Sequence, residues 1–262
     1  MTEQLSTVFG ILIPFIGTTL GAALVFFMRR GFGERVRCSM LGFASGVMIA
    51  ASVWSLLLPS IKMAAEFSVP HYLPATVGFA CGIAFLLALD KIIPNIRERA
   101  ENAPSSRGAL GRSTMLFLAV TLHNVPEGMA VGVAFAGVIS SAPSVTMAEA
   151  MVLSIGIAVQ NLPEGSIISL PLRADGMKKS RAFLYGTLSG VVEPIAAALT
   201  LALAAIISPI LPYILSFAAG AMIYVAVREL IPEAMTGDGA DFGIIGAALG
   251  FALMMILDVA LG

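Results

Sequence analysis

Charged residues are too few in this chain to give a soluble fold a water-facing surface. Only 12% of the 262 residues are charged and 58% are hydrophobic, with a mean hydropathy of +0.95, whereas soluble domains carry about 25% charged residues. Apolar stretches near the ~20 residues needed to span a bilayer fall at roughly 7–28, 39–62, 73–94, 113–139, 147–171, 183–207, 210–232 and 242–261. The sequence therefore predicts an all-α polytopic membrane protein with eight transmembrane helices and the lipid bilayer as its environment.

The basic residues predict the orientation of these helices. Of the 15 Lys and Arg residues, only Lys62 belongs to an even-numbered connection between predicted helices. Since Lys and Arg are enriched on the cytoplasmic side, we expect the odd-numbered connections, including the long one at about 95–112, to be cytoplasmic. Both termini should then lie outside a plasma (inner) membrane, on the periplasmic side. The net charge of −1 argues against a nucleic-acid-binding surface.

Three short patterns recur in the same order at nearly constant spacing. The pairs are Gly17-Thr18 with Gly186-Thr187, 43–49 with 217–223, and 78–90 with 246–258, at offsets of 169, 174 and 168 residues. They match predicted helices one to three with six to eight. A displacement by five helices, an odd number, inverts the second copy in the membrane. We therefore expect a 3+2+3 arrangement with an inverted repeat, an architecture typical of secondary transporters.

This organisation predicts a single transmembrane transporter domain over residues 1–262. Repeat one covers about 7–94, a central helix pair about 113–171, and repeat two about 183–261. In such transporters the binding site lies near the bilayer midplane at the repeat interface. Asp90 and Asp258 are equivalent across the repeat and near helix ends, where we expect a capping or interfacial role.

The central pair carries a doubled motif that suits metal binding. The motif reads His123-Asn124-Val125-Pro126-Glu127-Gly128 in helix four and Gln160-Asn161-Leu162-Pro163-Glu164-Gly165 in helix five. The spacing i, i+4 places His123 with Glu127, and Gln160 with Glu164, on one helical face. Carboxylate, imidazole and amide groups together suit a borderline divalent cation. Each proline also removes a helical hydrogen bond and exposes a backbone carbonyl, which a membrane tolerates only beside protein or a wet cavity.

Glu193 in helix six adds a third intramembrane carboxylate, followed directly by Pro194. Ionisable residues inside a membrane are costly and usually functional. Glu127, Glu164 and Glu193 have no Lys or Arg near their depth in these helices, so bound cations or protons must supply the positive charge. Metal binding should therefore displace protons from the site.

At the doubled motif the chain resembles the ZIP (Zrt-, Irt-like) family of divalent metal transporters, in particular its bacterial GufA-like members. The resemblance implies a binuclear metal site with two ions per protomer. The first ion would be held by His123, Glu127, Gln160 and Glu164. The second would be held by Asn124, Asn161 and Glu193, with Glu127 and Glu164 bridging.

The resemblance also implies a transport path and a motion. Met48 and Ser55 would lie near the first site, and Glu229 on the cytoplasmic exit route. A homodimer and an elevator-like movement of helices one, four, five and six would follow. Two positions depart from the family pattern: Asn161 stands where some relatives have Asp, and Arg228 where relatives often have His.

The leading interpretation is a secondary transporter that imports Zn²⁺, and also Cd²⁺, Fe²⁺ or Mn²⁺, as substrate and needs no cofactor. One alternative is an intramembrane zinc hydrolase with Glu127 as general base. It is disfavoured because His123-x-x-x-Glu127 lacks the second His of a His-Glu-x-x-His motif, and we expect no enzyme. A channel-like conductor of divalent cations is the other alternative, and the sequence leaves it open.

Overall fold

The computed structural model describes residues 3–28, 32–65, 69–101, 108–139, 145–203, 206 and 210–261, with only the backbone described for 92–101, 108–120 and His123. Within these residues the chain forms eight helices and no strand. The helices are α1 (Glu3–Phe27), α2 (Glu34–Ala64), α3 (Tyr72–Glu101), α4 (Gly108–Ile139), α5 (Met147–Ala174), α6 (Lys179–Ala202), α7 (Leu211–Ala234) and α8 (Gly237–Leu261).

The described helices confirm an all-α polytopic membrane protein. Seven of them are long and apolar enough to cross a bilayer, and the apolar part described for α4 is the shorter segment Asn124–Ile139. The α3 helix runs beyond its apolar stretch, through Pro94 to Glu101, into what we predicted as a connection. Hydropathy measures the apolar length only, and residues such as Arg97 and Glu98 are good helix formers in water. The domain boundaries remain a prediction.

Helices α2 and α7 are both interrupted by a π-helical turn at matching places. The turns are Ser52–Leu57 and Ala226–Leu230, and their first residues are separated by the same 174 residues that relate 43–49 to 217–223. A proline follows in the next segment of each helix, Pro59 in α2 and Pro232 in α7. Because proline cannot donate a helical hydrogen bond, each turn lies where the regular hydrogen-bond pattern fails.

The helices α1, α4, α5 and α6, here called the site group, pack backbone to backbone through glycines. A Cβ on Gly17 of α1 would collide with the carbonyl oxygen of Ala158 in α5, and one on Gly128 of α4 with that of Glu193 in α6. Small residues of this kind let membrane helices approach closely. The site group therefore holds its four helices at minimal separation.

The helices α2, α3, α7 and α8, here called the flanking group, pack in the same way among themselves. A Cβ on Gly46 of α2 would strike the carbonyl of Ala247 in α8, and one on Gly82 of α3 that of Phe217 in α7. Contact between the groups has a different character at Gly156 of α5, where the side chain of Met254 from α8 fills the space. Backbone contact thus joins helices within a group, and side-chain contact joins the groups there.

Candidate metal centre

Six residues of the doubled motif and of α6 are brought together inside the site group. All are at most 7% exposed. They are Asn124, Glu127, Gln160, Asn161, Glu164 and Glu193. The sequence predicted each of them as a metal ligand. The seventh predicted ligand, His123, lies in α4, but its side chain is outside the described residues.

Gln160 connects α5 to α4 by a hydrogen bond to Glu127. Its Nε2 atom donates to Glu127 Oε1 at 2.8 Å. The other oxygen of each group, Glu127 Oε2 and Gln160 Oε1, is buried and has no hydrogen-bond partner among the described side chains. The bond orients both groups and leaves one acceptor of each open.

Glu193 is held through one oxygen only. Thr18 Oγ1 of α1 donates to Glu193 Oε1 at 2.7 Å, and Asn124 Nδ2 of α4 donates to the same oxygen at 3.2 Å. The Asn124 amide also donates to the Ser189 carbonyl at 3.2 Å. In the described structure, Glu193 Oε2 and Asn124 Oδ1 are left buried without a partner.

The remaining residues add unpaired polar atoms and negative charge. Both side-chain polar atoms of Asn161 are buried without a well-formed hydrogen bond to the described residues, although the amide lies close enough to Glu127 and Glu193 to interact with both carboxylates. Glu127 lies within electrostatic range of Glu164 and Glu193, and Glu164 within range of Glu229 in α7. Buried polar atoms without partners are rare and call for a physical reason. Five of these unpartnered atoms are acceptor oxygens within the site group. A bound cation would supply the partner that each of them lacks.

The described side chains alone do not form a complete site of strong ligands. Among them, no group of three or more His, Cys, Asp or Glu residues is close enough to hold a metal ion. An ion here therefore requires the amide oxygens of Asn124, Gln160 or Asn161, or the His123 imidazole. That requirement agrees with the mixed donor set of the motif.

Two close approaches bring α1 and α6 onto the motif helices. Gly128 of α4 packs directly on the backbone of Glu193, and Gly165 of α5 packs on the carbonyl of Thr18. Each glycine directly follows the Pro-Glu pair of its motif. The motif glycines thus place Thr18 and Glu193 beside the two motif carboxylates.

The predicted path residues have separate surroundings. Met48 is fully buried in α2, and the Ser55 hydroxyl donates to Asp258 Oδ1 of α8 at 2.5 Å. Glu229 is half-buried and lies near enough to Glu164 to interact with it. Of the three, Glu229 is the one with a described interaction toward the centre.

The two repeat-related aspartates, for which the sequence predicted a capping or interfacial role, each pair with a side chain of a neighbouring helix. Tyr224 of α7 donates to Asp90 Oδ2 at 2.5 Å, and Arg228 lies 3.8 Å from the same oxygen. The Arg228 side chain is 68% exposed, so it lies at the protein surface beside α3. Asp258 accepts from Ser55 in the equivalent way across α8 and α2. Each carboxylate thus pairs with a neighbouring helix through one oxygen, Asp90 through Oδ2 and Asp258 through Oδ1, while Asp258 Oδ2 is buried without a partner among the described residues.

Thr18 is a site residue that sequence reasoning missed. Gly17-Thr18 was recognised only as half of a repeat with Gly186-Thr187, a pattern that indicates helix packing. Nothing in one helix shows that a threonine meets a carboxylate 175 positions away. The burial of Glu193, which needs donors, was the one available signal.

The chain is similar to known proteins over most of its length. Residues 101–258 match the family model described as ZIP zinc transporter. The chain is 36% identical to the zinc transporter ZIP11 of Homo sapiens, over 94% of each chain. It is 36% identical to the zinc transporter ZIPB of Bordetella bronchiseptica, over 95% of this chain and 79% of that one, and 33% identical to the zinc transporter GufA of Myxococcus xanthus, over 94% and 96%. The chain therefore belongs to the ZIP family as a GufA-like member, and it is a transporter rather than an enzyme.

Proposed function

We propose that this protein imports Zn²⁺, and with it Cd²⁺, Fe²⁺ or Mn²⁺, across the plasma membrane into the cytoplasm. The observation that carries the proposal is the cluster of buried, unpaired acceptor oxygens beside three carboxylates. Relatives that cover most of the chain are named zinc transporters. Oxygen donors with one imidazole suit divalent cations of this kind.

The proposed centre holds two ions. The first is bound by His123, Glu127, Gln160 and Glu164, and Glu127 Oε2 and Gln160 Oε1 are open acceptors there. The second is bound by Asn124, Asn161 and Glu193, each of which has an open oxygen. Glu127 and Glu164 bridge the two ions. Because Asn161 is neutral where some relatives have Asp, the second ion is held more weakly than the first.

The ions match the centre in charge. Two divalent cations carry four positive charges, and the three glutamates carry three negative charges when all are ionised. Uncompensated, three carboxylates in a dry interior would be untenable, since a buried charge must be paired. Neutral amide oxygens then complete the coordination without adding charge. The bound state is thus nearly neutral, which lets the site group move through a low-dielectric environment.

Movement of the site group is the proposed transport step. Its helices are joined by backbone contacts at glycines and by hydrogen bonds such as Thr18 to Glu193 and Gln160 to Glu127. The flanking group is joined internally by contacts of the same kind. A side-chain contact such as Met254 on Gly156 can be remade at another register. This division supports elevator-like alternating access, with the metal carried by the site group.

Uptake into proteoliposomes tests the proposal most directly. Glu164→Ala removes a bridging ligand, and His123→Ala a ligand of the first ion. Either should reduce Zn²⁺ uptake to the background of empty vesicles while the protein stays folded in the membrane. Glu233→Ala, an exposed carboxylate in α7, is the matched control and should transport normally. Wild-type uptake kinetics in Glu164→Ala would refute the site, and flux that rises linearly with metal would show a channel in place of a carrier.

Orientation and assembly belong to the same proposal. A reporter at residue 105 should be cytoplasmic and one at residue 142 external; both positions lie outside the described residues. Accessibility of residue 105 from the outside only would overturn the orientation.

The family resemblance extends the proposal to a homodimer, for which crosslinking in native membranes should trap a species of twice the 27.2 kDa chain mass.

A further inference from the structure

Thr18 is the first of two adjacent threonines in the middle of the mainly apolar helix α1. It is fully buried, and its hydroxyl donates to Glu193 Oε1 at 2.7 Å. The longer contact to the Pro14 carbonyl, 3.4 Å, belongs to its own helix. Its equivalent in the second repeat, Thr187, has a buried hydroxyl with no hydrogen bond among the described residues. The contact with a carboxylate is therefore specific to one copy.

Glycines on two neighbouring helices fix the position of Thr18. Gly165 of α5 packs on its carbonyl oxygen, so a Cβ there would collide with α1. A Cβ on Gly190 of α6 would lie 2.8 Å from both Cβ and Cγ2 of Thr18. The threonine is thus enclosed from both sides, and its hydroxyl has little freedom to turn away from Glu193.

The two carboxylate oxygens of Glu193 differ in their hydrogen bonds. A carboxylate oxygen accepts about two hydrogen bonds, and Oε1 already receives one from Thr18 and one from Asn124. No lone pair of Oε1 remains for an ion. Oε2 is buried and, among the described residues, unpartnered. An ion that approaches Glu193 can therefore bind only Oε2.

We infer that Thr18 is a positioning residue that makes Glu193 a one-oxygen ligand of the second ion. The inference rests on the proposed function and concerns how one ligand of that site is presented. Removing the hydroxyl frees a lone pair on Oε1 and lets the carboxylate rotate or chelate. Loss of a hydrogen bond that orients a metal ligand typically lowers metal affinity roughly 10- to 100-fold.

Zinc titration of the purified full-length protein in nanodiscs tests the affinity. Thr18→Val, which keeps the shape, should weaken the second Zn²⁺ at least about 10-fold and leave the first within about twofold. Thr18→Ser should restore wild-type binding, and Thr187→Val is the matched control without effect. If Thr18→Val does not reach the membrane, Thr18→Ala should show the same split. Unchanged binding of the second ion, or an equal loss at both, would overturn the inference.

Difference infrared spectra with and without Zn²⁺ test the coordination itself. The splitting between the two carboxylate stretching bands is wider for a carboxylate bound through one oxygen than for a chelating one. The band pair that disappears in Glu193→Gln should have the wide splitting in wild type and Thr18→Ser, and a narrower one in Thr18→Val. The same splitting in wild type and Thr18→Val would count against the inference. Wild-type protein that binds no zinc would instead overturn the proposed function itself, and the inference with it.

Discussion

The site group and the flanking group both pack their helices through glycines, but they differ in how many buried polar atoms lack a hydrogen bond. Within the described side chains, nine of the ten buried nitrogen and oxygen atoms without a hydrogen bond belong to the site group, and the tenth is Asp258 Oδ2 in the flanking group. Asp90 of the flanking group, by contrast, accepts a hydrogen bond from Tyr224 and forms an ion pair with Arg228. Unpaired polar atoms are therefore concentrated in the site group, and five of them are the acceptor oxygens of the candidate metal centre.

Under the proposed function, this contrast separates residues that stabilise the fold from the candidate ligands of the transported ion. An unpaired buried polar group costs about 1–3 kcal/mol, so a cluster of them persists only where something else compensates. In the site group that compensation is assigned to the transported ion. Variants in the two groups should therefore separate stability from uptake.

The largest effect is expected where backbone packing in the site group is broken. Gly165→Leu would drive a side chain into the Thr18 carbonyl, and because backbone cannot yield easily, the cost should reach about 3 kcal/mol or more. We expect loss of folded protein, measured by size-exclusion profile and thermal melting in detergent. Gly33→Leu is the control, since a Cβ there meets nothing within 4 Å. Equal melting of the two variants would contradict the proposed tight packing.

A smaller effect, confined to uptake, is expected inside the centre. Gln160→Leu removes the donor to Glu127 Oε1 and one open acceptor, so Zn²⁺ uptake at low metal should fall about 10-fold or more. Thermal stability should change little, because the variant also removes an unpaired buried atom. Ser154→Ala on the same helix loses only a bond to its own backbone and serves as control. A large stability loss without an uptake defect would assign Gln160 to the fold.

The smallest effect, confined to stability, is expected in the flanking group. Tyr224→Phe removes the hydrogen bond to Asp90 and leaves Arg228 in place. The expected cost is about 1 kcal/mol, visible as a small drop in the detergent melting temperature, with uptake within twofold of wild type. A strong uptake defect would show that the pair at Asp90 belongs to the transport path and would weaken the contrast between the groups.

The fold class, which is confirmed, and the residues that the structure brings together as the candidate centre could be predicted from the sequence because their signals are local. A charge-poor chain can only be buried in lipid, and i, i+4 spacing places Gln160 and Glu164 on one face without any tertiary knowledge. The role of Thr18 and the pairing of Asp90 with α7 could not be predicted, because both depend on which helices pack together. The end of α3 was predicted too early. Hydropathy marks only where the apolar stretch ends, whereas the helix continues to Glu101 in polar residues that favour a helix.

The paired π turns have a consequence for the direction of the side chains that they carry. They begin at equivalent positions of α2 and α7, and each lies just before a proline. A π turn adds one residue to the helical turn and often occurs at functional sites. Because one residue of a regular α-helix corresponds to about 100° of rotation, Ser55 and Glu229, which lie within these turns, project in directions that an uninterrupted helix would not give them.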